Sequence, residues 1–497
     1  MGEEYWLGID AGTTAIKAAV YRNDGSQVAL GQVPSEVKVA TGGRSEQDME
    51  DVWRSVCSAI KSALSGLDAA DVKSVGIAAQ GDGLWALDAG MQPVGPAILW
   101  NDTRASDIVD ALYESGRAKA VSHACHTSIW PGTVGAIFAW LKANDPARVD
   151  QIAHVLYCAD WVGYRMTGKV ATDFSDATIP FLDLRRRAYD EAAFSALDVA
   201  ELQGKLAAPR VASERLGTIT AAAAAATGLP VGVPVSVGTM DLAAMIVGMA
   251  MRQPGETMMI LGTTAVVNIL ADSVEKADLP VGATAFHADG QTLIRVLAPT
   301  TGAAAFDWFC ALHPQTLGGA SPAEIAGKLN ALAGNVPPGA NGITFLPYLN
   351  GERAPFVAPK AQATFFGLTS ASSTADMGRA VMEGAAFSLR HCFEAEGGRP
   401  QKPVRLTGGG ARNALWCQII ADVMQAPIIV SEESDHGLWG AACVGAAAAG
   451  GGDACVLAEG HESTIRYDPD PATAGAYDAA FNRYHALTEA CQAIWKA

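Results

Sequence analysis

The sequence lacks the usual means of fixing a chain covalently or through a metal. Its nine cysteines (Cys57, Cys125, Cys158, Cys310, Cys392, Cys417, Cys443, Cys455 and Cys491) are scattered and odd in number, with no two at C-x-x-C spacing. That spacing disfavours a zinc site and a disulfide framework, and fits small buried thiols in a reducing compartment. His123, His126 and His436 show no ligand spacing either. Positive charge is scarce: 35 Lys and Arg stand against 52 Asp and Glu, a formal net charge of −17 with no basic cluster. Such a chain repels nucleic-acid phosphates, and the charge reads as a solubility feature of an acidic cytoplasmic protein. No apolar run reaches the about 20 residues a membrane helix needs. The acidic start runs straight into a strand, unlike a secretory leader. The blandest stretch, Ala221–Ala226, ends in Thr-Gly-Leu-Pro and reads as a surface helix with a glycine stop. The P-loop pattern G-x-x-x-x-G-K-[ST] is absent, and "TGGGARN" (Thr407–Asn413) is not G-x-G-x-x-G.

What is present is a long chain with a repeated design. Its 497 residues, 49% of them hydrophobic, exceed one ordinary core and imply two domains or more. The first half opens with "YWLGID", a "GTT" turn, and two strands joined by Asn23-Asp24-Gly25, a hairpin signal. "MEDVWRSVCSAIKSAL" places Val52, Trp53, Val56, Ile60 and Leu64 on one helical face. "VKSVGIAAQGDG" reads as a further buried strand. The second half restarts with "ETMMILGTTAVVNILAD", again strand, Gly-Thr-Thr turn and strand, and later offers a helix around "ADMGRAVMEGAAFSLRHCF", a strand "VRLTGGGA" and a helix "NALWCQIIADVMQ". Turn residues Gln253-Pro254-Gly255 mark the division, giving domains over 1–253 and 254–497.

The repeated Gly-Thr-Thr-Ala, starting at Gly12 and at Gly262, has a physical use. Glycine lets backbone approach an anion closely, successive N–H groups form a concave nest, and hydroxyls add donors. Two such hairpins facing each other would grip a polyphosphate from both sides. The glycine turn at 407–413 sits between strand and helix, where helix N-terminal amides favour an anion or nucleotide. Asp241 ends the apolar "VPVSVG" run, so a carboxylate is expected at a strand terminus inside the cleft.

These landmarks, from Gly8 to about Gly450, resemble the FGGY carbohydrate kinases, members of the actin, hexokinase and heat-shock-ATPase superfamily. The longest match is "ATFFGLTSASSTADMGRAVME" (Ala363–Glu383), with Phe365, Gly367-Leu368, Asp376-Met377, Ala380 and Glu383 at the family's positions. An earlier signature keeps Pro131 and Trp140-Leu141 but has Ile137 where the family usually has lysine. The resemblance implies an α/β fold of two duplicated ribonuclease H-like, actin-like ATPase domains, with mixed sheets flanked by helices and a nucleotide cleft between them. It implies an ATP- and magnesium-dependent phosphotransferase acting on a hydroxyl of a short ketose or polyol. A pentulose such as xylulose is favoured and an erythritol- or glycerol-type polyol is the alternative.

Carried over by motif, Asp10 holds magnesium through water, while Gly12, Thr13 and Thr14 cradle phosphates and Lys17 reaches the terminal phosphate. Gly262 and Thr263 form the second phosphate element, and Gly302, Gly409, Gly410 and Asn413 bind the nucleotide. Relatives often have a second glycine where this chain has Ala303. The segment "GLWGAA" (Gly437–Ala442) packs behind the nucleotide. Asp241 takes the base position, with a share in the metal and in the acceptor. Phosphoryl transfer to an alcohol needs a base on the attacking hydroxyl and cations on the phosphates.

The acceptor loop "AAQGDGLW" supplies Gln80 and Asp82, where xylulose kinases typically carry Met-His at the positions of Gly81 and Asp82 and glycerol kinases carry Arg-Glu. Asp102, in "LWNDTRA", and Trp130 complete the expected acceptor contacts, with Arg104 holding that loop by pairing with a carboxylate. Homodimers are frequent among relatives; neither nucleic acid nor membrane is expected as a partner. A reading from another class, an actin-fold ATPase without a sugar substrate, is opposed by the long signature, the polar acceptor loop and the lack of a peptide-binding domain after about residue 450.

Overall fold

A computed structural model describes residues 4–274, 279–313, 321–431, 435–460 and 463–495. The chain forms two compact units: one comprises Met1–Gln253, Ala271–Ile294 and Asp435–His461, the other Pro254–Leu270, Arg295–Ser434 and Glu462–Ala497.

The first unit is built on a mixed sheet. Strand Tyr5–Ala11 pairs antiparallel with Ala15–Arg22, which pairs antiparallel with Gln27–Pro34. On its other side Tyr5–Ala11 pairs parallel with Val72–Ala79. Pro234–Ser236 and Thr239–Met240 both lie parallel to Val72–Ala79. The hairpin expected at Asn23-Asp24-Gly25 forms, with Gly25 at a φ of 80°. Helix Met49–Ala63, capped by Asp48, buries Met49, Val52, Trp53, Val56 and Ile60 against this sheet. Periodicity chose that face because a helix packed on a sheet must hide one stripe.

The opposite side of the same sheet takes helix His436–Ala446, every residue of which is buried. It is a small-residue contact. A Cβ on Gly76 would sit 1.7 Å from the Ala441 carbonyl oxygen, and one on Gly440 would sit 1.8 Å from the Ala244 carbonyl oxygen. This packing draws 435–461 into the first unit, so the units are not the consecutive 1–253 and 254–497 that the sequence suggested. "GLWGAA" thus has a structural place, backing the strands of the first unit. A third layer, from Ser106–Glu114 through Glu191–Ala196, has a separate core around Phe138, Phe181 and Phe194.

The second unit repeats the central topology. Thr257–Leu261 pairs antiparallel with Ala265–Ala271 and parallel with Val404–Thr407, which continues parallel to Ile428–Ser431 and then antiparallel to Thr464–Tyr467. Helix Thr374–Ala395 starts at a capping box of Ser373 and Asp376. Its Arg379 and Glu383 form a buried ion pair at 2.8 Å. All nine cysteines are free, and eight are buried. Among the described residues, no helix is long and apolar enough to cross a membrane.

Candidate active site

Three neighbouring parallel strands of the first unit end at one edge. Tyr5–Ala11 runs into Gly12, Val72–Ala79 into Gln80, and Thr239–Met240 into Asp241. The Gln80 N–H donates to the Ala11 carbonyl at 3.2 Å and ties two of these ends together. Carboxyl ends of strands are where open α/β sheets bind ligands, because the loops that follow are free to diverge.

Asp10 and Asp241 are the acids at this edge. Asp10 Oδ1 is shielded from solvent and has no hydrogen-bond partner among the described residues. Burial, with the charges of Asp241 and Asp435 adding to it, pushes the Asp10 carboxyl up to about 7, against a smaller lowering by Lys17. Asp241 is the first residue of helix Asp241–Gly248 rather than the last of a strand. The apolar run is interrupted at Gly238, with its φ of 92°, and resumes as the short strand Thr239–Met240, whose end delivers Asp241. The Leu242 N–H donates to Asp241 Oδ1 at 2.6 Å. Solvent reaches the Asp241 side chain, yet surrounding protein withdraws the carboxyl from bulk water and pushes it up to about 6.

The turn after Asp10 is closed by the Gly12 N–H donating to the Ala15 carbonyl at 3.2 Å. Thr13 is half-buried and Thr14 exposed; neither hydroxyl has a protein partner among the described residues. Lys17, opposite Asp10 in the hairpin register, is committed to an ion pair, its Nζ 2.7 Å from Asp435 Oδ2. Asp435 also caps helix His436–Ala446. The sequence pointed to neither the pair nor the cap, since the partners are 418 residues apart.

Of the expected acceptor residues, Gln80 and Asp82 lie on the loop beside Asp241. Gln80 is 3% exposed and its Nε2 donates to Gln47 Oε1 at 2.6 Å. Asp82 adopts a left-handed φ of 56°, and its N–H donates to Asp176 Oδ1 at 3.2 Å. Asp102 departs from its expected role. Its oxygens accept the Ser45 N–H, the Arg104 backbone N–H and the Nε and Nη2 N–H groups of the Arg104 guanidinium at 2.7–2.9 Å, and its side chain has no exposed surface. All four lone-pair positions are taken, so Asp102 positions the 99–105 loop, with Arg104 reaching on to Glu46 at 2.6 Å. Trp130 is half-buried, and its Nε1 donates to the Trp100 carbonyl at 3.2 Å. Asp160, Asp173 and Asp176 escaped sequence analysis, although the Asp173-x-Ser175-Asp176 spacing carries the local signature of a side-chain cap.

In the second unit, Gly262 and Thr263 form the turn between its first two strands, and both Thr263 and Thr264 are exposed. Gly302 supports that turn from behind. Its N–H donates to the Thr263 carbonyl at 3.0 Å, the Ala303 N–H donates to the Gly262 carbonyl at 2.6 Å, and a Cβ on Gly302 would lie 2.5 Å from the Thr264 oxygen. Gly409 is open, whereas Gly410 abuts Leu261 at the strand end that leads into Gly262. Asn413 caps helix Ala414–Met424 through Oδ1 and donates from Nδ2 to Asn330 at 2.8 Å. Its side chain is thereby committed to structure, and only the glycine backbone of this turn is left open.

Two α/β units of repeated topology, each with a Gly-Thr-Thr turn at a strand end and one with paired acids beside it, define a phosphotransferase-like architecture. The FGGY family of carbohydrate kinases matches on both parts, its N-terminal domain over residues 5–248 and its C-terminal domain over 257–449. The chain belongs to that family, and it is a sugar kinase phosphotransferase. It is 30% identical to the erythritol kinase of Brucella abortus (strain 2308), with 98% of this chain and 96% of that protein covered. Against the xylulose kinase of Escherichia coli (strain K12) the identity is 32%, over 84% of each chain. The crystal structure of xylulose kinase from Rhodospirillum rubrum superposes with a TM-score of 0.89 at 25% identity, covering 99% of this chain and 100% of that one. Kinases of this family use ATP.

Proposed function

We propose that the protein transfers the terminal phosphoryl group of ATP to a hydroxyl of a four- or five-carbon ketose or polyol, with Asp241 as the base. Both classes occur in the names of its relatives, which include xylulose and erythritol kinases. The observation that carries the reading is the placement of Asp10 and Asp241 at the ends of two strands that flank Val72–Ala79, on one edge of the sheet beside the Gly12–Thr14 turn. A carboxylate that gains its proton only below about pH 6 is ionised at neutral pH and accepts the proton an attacking hydroxyl loses. Gly12, Thr13 and Thr14 in one unit, and Gly262, Thr263 and the Gly409–Gly410 backbone in the other, supply N–H and hydroxyl donors to phosphate oxygens.

The acids also fit a magnesium ion. Asp10 carries a buried carboxylate oxygen with no partner among the described residues, and a cation there would offset the burial and the neighbouring acids that raise its pKa. Among the described residues, no three Asp, Glu, His or Cys side chains are arranged to hold a metal unaided. Asp10, through water, and Asp241 would hold the ion, the rest of its shell being left to water and phosphate, as that ion commonly requires. When bound, it supplies positive charge to the transferring phosphate.

The test is ADP formation from magnesium-ATP across a panel of short ketoses and polyols. Acceptor-dependent ADP release is expected; ADP release at one rate with every acceptor and with none would instead mark an ATPase on the same fold.

A further inference from the structure

Cys455 is a thiol that a histidine faces. Its Sγ lies 3.7 Å from His287 Nε2 and 3.5 Å from the Met251 carbonyl oxygen. Three separate places in the first unit meet here. Met251 follows helix Asp241–Gly248, His287 follows strand Ala283–Phe286, and Cys455 lies on helix Ala454–Leu457. Cys455 is 3% exposed and His287 1%. Neither is cut off, because both line a cavity of about 140 Å³ together with Ser213, Arg252, Asp289 and Asp453.

The imidazole is held at its other nitrogen. His287 Nδ1 accepts the Asp289 N–H at 3.1 Å and stands 3.4 Å from Asp289 Oδ2. Asp289 is itself fixed: Oδ1 accepts the Gln291 and Thr292 N–H groups at 2.7 and 2.9 Å, and Oδ2 accepts the Thr292 hydroxyl at 2.7 Å. Burial works against the charged form of Asp289, but the imidazole and these donors outweigh it and hold the carboxyl well below its usual range. Thiol, imidazole and carboxylate thus stand in line, the order that activates a cysteine nucleophile. The other charged groups on the cavity are Arg252, paired with Glu459 at 2.8 Å, and Asp453, which caps the helix of Cys455.

We propose that Cys455 is a site of oxidation by a small peroxide, with His287 taking up the proton that the thiol gives up and Asp289 orienting the imidazole. The inference stands apart from the kinase reading. The distances fit a resting state in which Nδ1 receives the Asp289 N–H, Nε2–H donates to sulfur, and the thiol donates to the Met251 carbonyl. Ionisation carries the thiol proton through solvent to Nδ1, beside the Asp289 carboxylate, and leaves a thiolate facing Nε2–H. The sulfur then attacks one peroxide oxygen. An S–O bond forms, the O–O bond breaks, and the departing hydroxide leaves as water with the imidazolium proton. Sulfur gives up two electrons to the peroxide and becomes a sulfenic acid. A water takes about 30 Å³ of liquid, so the cavity has room for hydrogen peroxide and for the oxygen it leaves behind.

The other eight cysteines are internal controls. Burial raises each of their thiols above the ordinary range, and Cys491, half-buried, is the most accessible of them. The protein at pH 7 is treated with hydrogen peroxide and quenched at intervals into denaturant containing dimedone and iodoacetamide. Peptide mass spectrometry then reads sulfenic acid as the dimedone adduct and surviving thiol as the alkylated form. A free thiol is only a few per cent ionised at pH 7, so Cys455 should oxidise at least about tenfold faster than Cys491 despite its deeper burial. His287→Gln keeps an N–H for the sulfur but cannot take up a proton. It should slow Cys455 about tenfold, move the rise of its rate to higher pH, and leave Cys491 and the unfolding transition in place. Cys455 oxidising no faster than Cys491, or only where denaturant unfolds the protein, overturns the proposal. So does a folded His287→Gln with the wild-type rate and pH profile. Should that variant fail to fold, the wild-type comparison and the same slowing in Asp289→Asn decide the matter.

Discussion

Replacing Gly76 by alanine perturbs the contact that joins helix His436–Ala446 to the central sheet. Gly76 lies mid-strand, paired with Gly8, and the added Cβ would sit 1.7 Å from the Ala441 oxygen, 2.6 Å from its carbon and 2.7 Å from the Gly445 nitrogen. Ordinary contact begins near 3.4 Å, so the helix must retreat by about 1.5 Å. Both partners are backbone atoms of regular elements, and no side chain can swing aside. Overpacking of a core costs about 1–3 kcal/mol; with backbone on both sides the upper figure applies, about 3 kcal/mol. In a unit of this size that lowers the melting temperature by roughly 6–12 °C. Gly437→Ala is the control on the same helix. Nothing lies within 4 Å of its Cβ position, and alanine is favoured over glycine in a helix by up to about 1 kcal/mol. Scanning calorimetry of the three proteins at one pH without ligand gives the answer. A Gly76→Ala melting within about 1 °C of wild type, or a Gly437→Ala loss as large as that of Gly76→Ala, would refute the packing argument.

Asp102→Ala should destabilise the protein by about 3 kcal/mol in denaturant titrations, because Arg104 stays buried with Glu46 as its remaining acid; an acceptor KM change without stability loss would restore Asp102 as a ligand. Gly302→Ala should displace the Gly262–Thr264 turn and raise KM for ATP about tenfold with acceptor KM unchanged, as steady-state kinetics would show. Acidification should lower kcat/KM through about pH 7 to 6, where Asp10 and then Asp241 take up protons, with the log-log slope steepening below both values. The same raised pKa works against stability at high pH. The folded protein holds the Asp10 proton more tightly than the unfolded chain, so the carboxyl's contribution is lost as pH rises from about 4 through about 7. Asp10→Asn should therefore be more stable than wild type at pH 8 by about 2 kcal/mol, the gap closing toward pH 4 in pH-dependent melting.

Local patterns were legible wherever one element decides them. The strands on both sides of each Gly-Thr-Thr turn, the Asn23-Asp24-Gly25 hairpin, and the helix at Ala221–Thr227 with its stop at left-handed Gly228 all follow from periodicity and turn chemistry. The helix expected around Ala375–Phe393 likewise forms, as Thr374–Ala395, while the capping box of Ser373 and Asp376 at its start was not anticipated. Pairings made across hundreds of residues were not legible. Nothing local says that Gly76 meets Ala441, that Lys17 meets Asp435, or that 435–461 folds with the first unit. Asp102 shows the limit at the site. Its neighbourhood, Asn101, Asp102 and Arg104, looks like a polar cluster open to a ligand, and only three-dimensional placement reveals that Ser45 and Arg104 use every acceptor position. Asp176 is the converse case, a residue whose backbone context reads as a simple cap while one oxygen stays unfilled.

The central claim is that Asp241 serves phosphoryl transfer to an acceptor hydroxyl. Its most direct test is acceptor-dependent ADP formation by wild type and Asp241→Asn at pH 8, with KM for ATP recorded alongside. The account predicts a loss in kcat of about a thousandfold with ATP binding retained. ADP formation that persists in Asp241→Asn at the wild-type rate would contradict it.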